Sequence, residues 1–270
     1  MDFKYFSKNG KLLSIEEAVV PLSNIEYQYG FGVYESIRVA NGAPYFLADH
    51  IERLMESART IGLTHSFDET FVEKAIADLM QKTEAESYNL KILLLGGAAP
   101  ILSIIPLNPH FPDKKLYRDG IHLISFKYER AFPHAKSLNM LQSYLAYAEA
   151  KKAGAYDALL IDNKGNITEG TRTNFFAMKG KTLFSAPEAE VLLGVTRKYV
   201  TQTAKAVGLD VVEQHMPLAS IAEYEAAFIT STSSKIVPVQ SIDSHAFGAR
   251  PKALDDLMAA FDAFLATFRS

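Results

Sequence analysis

The chain has 270 residues, of which 48% are hydrophobic and 22% are charged, and its formal net charge is −3. It contains no cysteine, which excludes disulfides, thiolate metal ligands and cysteine nucleophiles. The near-neutral charge without a basic block predicts no nucleic-acid partner, and no apolar run approaches the ~20 residues that a membrane-spanning helix needs. The opening "MDFKYFSKNG" lacks the layout of a secretory signal. We therefore expect a cytoplasmic enzyme that acts on small molecules, although composition alone equally allows a binding protein.

The first half of the chain is predicted to contain a hairpin, two helices and a buried strand. "GVYESIRVANGAPYF" favours a hairpin, because two β-rich runs flank a turn at Asn41-Gly42. "LADHIERLMESARTIGL" has apolar residues at helical spacing, and "DETFVEKAIADLMQKT" predicts a second helix. "NLKILLLGG" is typical of a buried strand. The proline-rich "PLNPHFPDKK" then indicates an interdomain connection, so we predict a small N-terminal α/β domain over residues 1–115.

Residues 116–270 are predicted to form a larger C-terminal domain. It opens with the strand "GIHLISFKY", and after a break at Pro133 a helix is predicted to follow Lys136. The predicted apolar face of that helix comprises Leu138, Leu141, Leu145 and Ala148. A meander of short strands follows, then the helix "GVTRKYVTQTAKAVG" and two strand-like runs in "AAFITSTSSKIVPV". This alternation predicts an α+β (mixed α/β) fold.

Two common ligand sites are not predicted. "GGAAP" lacks both the spacing and the lysine of a phosphate-binding P-loop. The seven histidines show no metal-ligand spacing such as H-E-x-x-H, so we predict no metal.

Four short motifs occur in an order and spacing that resemble one enzyme family. They are "HAKSLNML", "GNITEGTRTNFF", "LLGVTR" and "ITSTSSKIVPV", and the first half adds "YGFGVYESIRVANGAPYFLADHIERL". Together they are similar to the class IV, fold-type IV pyridoxal-phosphate (PLP) aminotransferases, which include branched-chain aminotransferases, D-amino-acid transaminases and aminodeoxychorismate lyases. The resemblance implies a two-domain fold-type IV enzyme, PLP as cofactor, amino acids and 2-oxo acids as substrates, and a homodimer.

By this resemblance, Lys136 is the catalytic residue. A PLP enzyme needs an amine that bonds covalently to the cofactor aldehyde, and a lysine freed from that bond can then move the substrate proton. The alternative is a solvated lysine near a helix start.

Three further residues match positions that surround the cofactor ring in the family. Glu169 matches the carboxylate that favours the protonated pyridine nitrogen, and its alternative is an exposed turn glutamate. Asn174 matches an amide that bridges through water in some relatives. Leu192 matches a residue that packs under the ring, with ordinary core packing as the alternative.

The cofactor phosphate needs hydrogen-bond donors without bulk. In "LLGVTR", Val195 and Thr196 would present N–H and hydroxyl groups at a helix start, where the dipole favours an anion. Ser231 and Thr232 offer a second set of donors, and Arg53 matches the family's phosphate arginine. The alternatives are a simple helix cap for the threonine and a solvated arginine.

Substrate recognition departs from both main subfamilies. Tyr34, Arg38 and Ser233 match substrate-facing positions. The arginine and histidine with which D-amino-acid transaminases hold a carboxylate are absent from "GGAAPILS". Asn89 and Lys91 stand where branched-chain enzymes have a tyrosine and an arginine.

Four other positions bear on the substrate pocket. Leu141 and Phe31 replace a family tyrosine and aspartate. Arg130 and Arg172 are either substitutes for the missing carboxylate ligands or surface or structural arginines.

The predicted activity is a ping-pong transfer of an amino group from a D-amino acid or a branched-chain L-amino acid to a 2-oxo acid. Four alternatives stay open. They are a lyase of the aminodeoxychorismate type, an (R)-amine transaminase, a PLP-binding protein without turnover, and a structural domain without cofactor.

Overall fold

The structure, a computed structural model, describes residues 3–109 and 111–268. Two compact units can be distinguished, and each is described by itself. The first unit contains the described residues up to 109 together with His134–Met140 and Phe268, and the second contains Phe111–Pro133 and Leu141–Thr267. Lys136 therefore belongs to the first unit. The division at residue 115 stays a prediction, and His110 of the predicted connection lies outside the described residues.

A six-stranded antiparallel sheet forms the first unit, with strand order β2-β1-β6-β5-β3-β4. Its strands are β1 (Tyr5–Lys8), β2 (Lys11–Ser14), β3 (Gly32–Ala40), β4 (Ala43–Pro44), β5 (Tyr88–Leu95) and β6 (Ile101–Leu107). Its helices are α1 (Ile25–Gln28), α2 (Leu47–Thr60) and α3 (Glu69–Met80). The predicted hairpin is confirmed as β3–β4. Its turn has positive φ at both Asn41 (52°) and Gly42 (74°), as a two-residue primed turn requires.

The two faces of this sheet differ in character. Leu90, Ile92 and Leu94 of β5 alternate onto the face that packs against α2 and α3, where all three are fully buried. The opposite face is called the polar face here, and it carries Tyr34, Ser36, Arg38, Asn89 and Lys91. The register pairs Ser36 with Lys91 and Arg38 with Asn89. Because side chains alternate along each strand, the polar face is separated from the core by the sheet itself.

The second unit contains a nine-stranded mixed sheet and four helices. The strands are β7 (Ile121–Lys127), β8 (Asp157–Ile161), β9 (Ile167–Gly170), β10 (Asn174–Lys179), β11 (Thr182–Ser185), β12 (Asp210–Glu213), β13 (Ala226–Ser231), β14 (Lys235–Ile242) and β15 (His245–Ala246). The helices are α4 (Lys114–Asp119), α5 (Leu141–Lys152), α6 (Val195–Ala206) and α7 (Lys252–Leu265). β9 pairs with both β8 and β10, which closes the circuit β10-β13-β14-β7-β8-β9. The predicted meander and the strand pair β13–β14 are confirmed.

The predicted apolar face of the helix after Lys136 is wrong. The helix α5 begins at Leu141, so Leu138 precedes it, and Leu141 and Leu145 are 65% and 43% exposed. Its buried face consists of small residues, Ala146 and Ala150, which pack with residues of β7 and β8. Small side chains let a helix approach a sheet closely, so size rather than hydrophobicity decides which face is buried.

Several elements were not predicted. They are the β1–β2 hairpin, β6, α1, α4, β12, β15 and α7. For α7 a signal was present, because Leu254, Leu257 and Phe261 recur at helical spacing after Pro251 and are all buried. Within the described ranges, no helix combines the length and apolar character needed to cross a bilayer.

Candidate active site

Lys136 lies on an extended segment that runs along the edge of β3. The Lys136 N–H donates to Ser57 Oγ of α2 (3.0 Å), and the Lys136 carbonyl accepts from the Tyr34 N–H (2.9 Å). The Leu138 N–H donates to the carbonyl of Gly32 (2.8 Å). A side chain at position 32 would come within 2.8 Å of both Leu138 Cδ1 and the Leu94 carbonyl, so glycine allows this close approach. The backbone of Lys136 is thus fixed on both sides.

The Lys136 amine lies over an aromatic ring. Its Nζ is 4.5 Å from the centroid of the Tyr34 ring, and the side chain is half-buried. Among the described residues no carboxylate forms an ion pair with this amine. The surface-lysine alternative does not fit this environment, because a solvated lysine needs neither a fixed backbone nor an aromatic neighbour.

Arg53 belongs to a buried charge network. The fully buried carboxylate of Glu35 accepts from Arg53 Nε at 2.7 Å and Arg53 Nη2 at 2.9 Å, and it contacts His50 Nδ1 at 2.8 Å. Burial alone would raise the pKa of Glu35, but the charge of Arg53 and the hydrogen bonds from Arg53 and His50 hold it well below its usual range. Burial lowers the pKa of His50 from 6.5 against the opposing charge of Glu35, so His50 is neutral and its Nδ1–H donates to the carboxylate.

This network was missed in the sequence, although a signal existed. Glu35 occupies a core-facing position of β3 between the buried Val33 and Ile37, where a charge is unexpected. His50 and Arg53 are three residues apart on α2, so they share one helix face. Ser57 lies one turn further on, which places the predicted phosphate arginine and the support of Lys136 on the same side of α2.

The polar face holds the predicted substrate residues Tyr34 and Arg38, and one residue not predicted to act. The Lys91 Nζ lies 3.5 Å from the Tyr34 ring centroid. Burial, followed by the charge of Lys136, lowers the pKa of Lys91 to about 7. Two lysine amines therefore share one tyrosine ring.

In the second unit, Glu169 is buried and held by several donors. Arg130 Nε donates to Glu169 Oε1 at 2.5 Å. Glu169 Oε2 accepts from the Leu192 N–H at 3.3 Å and from Asn174 Nδ2 at 3.4 Å. The alternative of an exposed turn glutamate is wrong, because Glu169 is only 3% exposed.

Arg130 and Arg172 have different environments. Arg130 also donates to Ser143 Oγ (3.2 Å) and to the Thr171 carbonyl (2.9 Å), so it ties the glutamate strand to α5. The Arg172 guanidinium lies 4.1 Å from the Tyr147 ring centroid in an exposed position. These contacts give Arg130 a structural part in the support of Glu169.

The predicted ring and phosphate residues of the second unit lie at one end of its sheet. Asn174 Nδ2 donates to the Leu192 carbonyl at 2.8 Å, and a methyl group on Gly194 would overlap the Asn174 carboxamide. Gly194 precedes α6, whose first residues Val195 and Thr196 are buried. Asn174 is thus the residue against which the start of α6 is packed.

The turn after β13 completes this group. Asn174 on β10 pairs with Thr230 on β13, and Ser231 follows directly. Ser231, Thr232 and Ser233 are half-buried, and Ser231 Oγ accepts from the Ser234 N–H at 3.1 Å. The start of α6 therefore packs on Asn174, and the hydroxyl-rich turn directly follows Thr230, the cross-strand partner of Asn174.

Comparison with known proteins agrees with this geometry. The Amino-transferase class IV family matches residues 32–242. The chain belongs to the class IV aminotransferases. It is a PLP-dependent transaminase, and the predicted family, fold and cofactor are confirmed.

Two curated relatives carry different names. A D-alanine aminotransferase of Bacillus licheniformis is 32% identical over 253 residues, which cover 89% of each chain. A putative branched-chain-amino-acid aminotransferase of Methanocaldococcus jannaschii is 33% identical over 254 residues, which cover 87% of this chain and 86% of the relative. These two names correspond to the two predicted donor classes, D-amino acids and branched-chain L-amino acids.

Solved structures of branched-chain amino acid aminotransferases are also similar. That of Escherichia coli has a TM-score of 0.90 at 25% identity and covers 99% of this aminotransferase and 95% of its own chain. The T.th. enzyme with pyridoxamine 5'-phosphate has a TM-score of 0.89 at 25% identity, with coverage of 97% and 94%.

Each unit of this aminotransferase carries groups that fit part of PLP. Lys136 supplies an amine without an ion pair among the described residues, and Arg53 supplies a guanidinium fixed by a buried carboxylate. Thr230 Oγ1 is buried and has no hydrogen-bond partner within residues 3–109 and 111–268. An aldehyde, a phosphate and a pyridine nitrogen need an amine, cationic or N–H donors and a carboxylate, and all of these groups are present.

Proposed function

We propose that this aminotransferase moves an amino group from an amino acid to a 2-oxo acid, with D-alanine or a branched-chain L-amino acid as donor. The observation that carries the proposal is the Lys136 amine, which is held over the Tyr34 ring by a fixed backbone and has no ion pair among the described residues. The names of the relatives support both donor classes.

In this proposal Lys136 anchors the cofactor and moves the substrate proton. When bound, PLP withdraws electrons from the substrate carbon that loses its proton. The Lys136 amine can accept that proton and return it, because its backbone is immobilised while its side chain keeps rotatable bonds. The Tyr34 ring shields one side of the amine from water.

Glu169 is proposed to face the pyridine nitrogen, with Leu192 and Asn174 beside the ring. The support is the buried carboxylate, which Arg130, Asn174 and the Leu192 N–H orient through hydrogen bonds. A carboxylate held in this way favours a protonated ring nitrogen.

For the phosphate we propose Arg53, Val195, Thr196, Ser231 and Thr232. Glu35 fixes the Arg53 guanidinium by a two-point ion pair, which leaves less rotational freedom to be lost when an anion binds. The start of α6 offers N–H groups and a favourable dipole, and its close packing on Asn174 depends on Gly194.

For the substrate we propose Tyr34, Arg38 and Ser233. Tyr34 and Arg38 both lie on the polar face of β3. Ser233 belongs to the hydroxyl-rich turn after β13, which offers backbone N–H groups.

We also propose a homodimer. Leu141, Tyr144 and Leu145 form an exposed apolar stripe on α5, with 65%, 66% and 43% exposure. Exposed apolar patches of this kind are typical of interaction surfaces. Sedimentation should give twice the chain mass of 29.9 kDa, and a single-chain mass would reject the proposal. The cytoplasmic location stays a prediction, which cell fractionation tests.

Separate half-reactions distinguish the donors. PLP-loaded protein would receive D-alanine, L-leucine, L-glutamate or an (R)-arylalkylamine while the visible band of the cofactor is followed. Loss of the band with D-alanine alone would reject the branched-chain donor, and loss with L-leucine alone would reject the D-amino acid donor. Loss with the arylalkylamine alone would reject amino acids altogether.

A lysine variant tests the site itself. Lys136→Ala should abolish cofactor trapped by borohydride, whereas Lys11→Ala, at an exposed position of β2, should retain it. Trapped cofactor on another lysine of the Lys136→Ala protein would show that the anchor is misassigned.

A further inference from the structure

The hydroxyl-rich turn after β13, residues 231–234, is held through one of its own serines. Ser234 is 6% exposed, and it uses its N–H, its carbonyl and its hydroxyl in hydrogen bonds. The N–H donates to Ser231 Oγ at 3.1 Å, and the carbonyl accepts from the Tyr117 hydroxyl at 2.9 Å. The Ser234 hydroxyl oxygen lies 3.1 Å from the Tyr156 hydroxyl oxygen. Two tyrosine hydroxyls therefore meet at one buried residue of the turn.

Both tyrosines are themselves held in place. Tyr117 lies on α4, Tyr156 directly precedes β8, and both rings pack against the core of the second unit. The Tyr117 carbonyl accepts from Arg250 Nη1 at 2.8 Å, and the Tyr156 N–H donates to the His122 carbonyl at 2.8 Å. Burial raises the pKa of Tyr156 above its ordinary value of 10, so its hydroxyl keeps its proton at neutral pH. The two hydroxyl groups therefore have defined positions beside the turn.

The residue that follows the turn has a strained backbone. Lys235 has a φ of 56°, in the left-handed region that favours glycine. It pairs with Ser231 across the turn, and its Nζ donates to Asp262 Oδ1 of α7 at 2.6 Å. A residue other than glycine keeps such a conformation only where its surroundings impose it. The contacts at Ser234 and Asp262 supply that restraint, so the turn has one imposed geometry.

This restraint reaches the groups that are proposed to bind the phosphate. Ser231 Oγ accepts the Ser234 N–H, so its own hydrogen remains available to another acceptor. Thr232 and Ser233 lie between these two residues. Donors that are already held in one arrangement lose little conformational freedom when an anion binds.

Resting on the proposed function, we propose that Tyr117 and Tyr156 are positioning residues for the cofactor phosphate. Their hydroxyls hold Ser234, and Ser234 orients the Ser231 hydroxyl and the adjoining N–H groups of the turn toward the anion. Neither tyrosine needs to touch the cofactor. Loss of a tyrosine hydroxyl should therefore weaken binding of the phosphate group and leave binding of the pyridine aldehyde unchanged.

The test compares two aldehydes that differ in one group. The full-length protein without bound cofactor is titrated with PLP and with pyridoxal, which lacks the phosphate, and dissociation constants are measured by fluorescence. Tyr117→Phe and Tyr156→Phe should each weaken PLP about two- to tenfold, the loss typical of one neutral hydrogen bond, and leave pyridoxal unchanged.

Tyr224→Phe is the matched control for the loss of a tyrosine hydroxyl. The Tyr224 hydroxyl accepts from Gln214 Nε2 at 3.2 Å, and Tyr224 precedes β13, at the opposite end of that strand from the turn. This variant should bind both aldehydes as the wild type does.

A double-variant cycle shows whether Tyr156 acts through Ser234. Ser234→Ala removes the hydroxyl that Tyr156 contacts and keeps the N–H and carbonyl of the turn. It should weaken PLP as Tyr156→Phe does, and Ser234→Ala/Tyr156→Phe should bind PLP no more weakly than either single variant. Tyr117→Phe should still lower the affinity of the Ser234→Ala protein, because the Tyr117 hydroxyl donates to the carbonyl.

Phosphorus NMR of the PLP-loaded protein gives a readout that does not depend on affinity. The resonance of the bound phosphate should shift in both turn-facing tyrosine variants and stay in place in Tyr224→Phe. Unchanged PLP affinity or an unmoved resonance in Tyr117→Phe or Tyr156→Phe would overturn the proposal for that residue. Equal weakening of PLP and pyridoxal would overturn it as well, since it would show a general loss of structure. Additive losses in Ser234→Ala/Tyr156→Phe would mean that Tyr156 does not act through the turn.

The two proposals fail in different ways. If borohydride traps no cofactor on Lys136 in the wild type, the proposed function and this inference both fail. If cofactor is trapped there and the ratio of PLP to pyridoxal affinity in the Tyr117 and Tyr156 variants equals that of the wild type, only the inference fails.

Discussion

The two units each contain a buried glutamate paired with an arginine, and the pairs differ in which member is proposed to meet the ligand. In the first unit Glu35 clamps Arg53 from the core side, and Arg53 is the proposed phosphate group. In the second unit Arg130 clamps Glu169, and Glu169 is the proposed partner of the pyridine nitrogen. The two pairs therefore have opposite roles. In the first unit the glutamate supports the arginine, and in the second unit the arginine supports the glutamate.

The two glutamates also differ in their burial and in their hydrogen-bond partners. Glu35 is fully buried, and its carboxylate oxygens are contacted by both Arg53 and the neutral His50. Glu169 receives a backbone N–H and a side-chain amide in addition to Arg130, whose side chain is 21% exposed. The first pair should therefore act mainly on stability, and the second should act mainly on the orientation of the glutamate.

The largest expected effect is that of Glu35→Ala. The change removes the carboxylate that pairs with the Arg53 guanidinium, and loss of one partner from a buried ion pair typically costs about 3–5 kcal/mol. We expect a loss of this size in the free energy of unfolding, measured with urea. Glu52→Ala, at an exposed position next to Arg53, is the control and should change little. A loss below about 1 kcal/mol would contradict the supporting role of Glu35.

Arg130→Met should have the next largest effect. It removes hydrogen bonds to the Glu169 carboxylate and to the Thr171 carbonyl, and bonds to charged groups are worth about 1.5–3 kcal/mol. We expect weaker PLP binding, measured by fluorescence, with a smaller loss of stability than for Glu35→Ala. Arg130→Lys should restore part of the affinity through its charge. If stability falls while PLP affinity is unchanged, Arg130 does not act through Glu169.

The sequence predicted one member of each pair as a cofactor residue and did not predict the pairing itself. Arg53 and Glu169 were predicted as cofactor residues because they stand in family motifs, whereas their partners are 18 and 39 residues away along the chain. Long-range pairing depends on strand register and helix packing, which local periodicity does not report. Alternation along β3 did contain the clue for Glu35, because a charge among inward-facing apolar residues requires a partner.

The helix after Lys136 also shows what local sequence periodicity does not predict. Leucines at helical spacing predicted its buried face, but Ala146 and Ala150 are buried and Leu141 is exposed. Hydrophobicity alone cannot distinguish a core face from a surface that a partner covers. By contrast the β3–β4 hairpin was predictable, since Asn-Gly dictates the turn locally.

Gly194→Ala tests how closely the Glu169 pair is packed. A methyl group there would overlap the carboxamide of Asn174, which donates to Glu169, and overpacking typically costs about 1–3 kcal/mol. We expect a loss in PLP affinity toward the lower end of this range. Gly248→Ala, where a methyl group meets open space, is the matched control. In Gly194→Ala/Asn174→Ala the overlap is absent, so the two changes should be non-additive. Additive losses would mean that Asn174 does not transmit the effect.

The smallest expected effect is a dependence of stability on pH that comes from His50. Its pKa is lowered by burial in the folded protein, so between its ordinary value of 6.5 and the lower folded value the unfolded chain binds the extra proton. The contribution of His50 to the free energy of unfolding is therefore fully present above pH 6.5. It is lost as the pH falls, at up to about 1.4 kcal/mol per pH unit. His50→Asn should reduce the slope of unfolding free energy between pH 6.5 and pH 5.5, while Arg130→Met should keep it. An unchanged slope in His50→Asn would mean that the histidine is protonated in the folded protein, and the Glu35 network would then hold two cations instead of one.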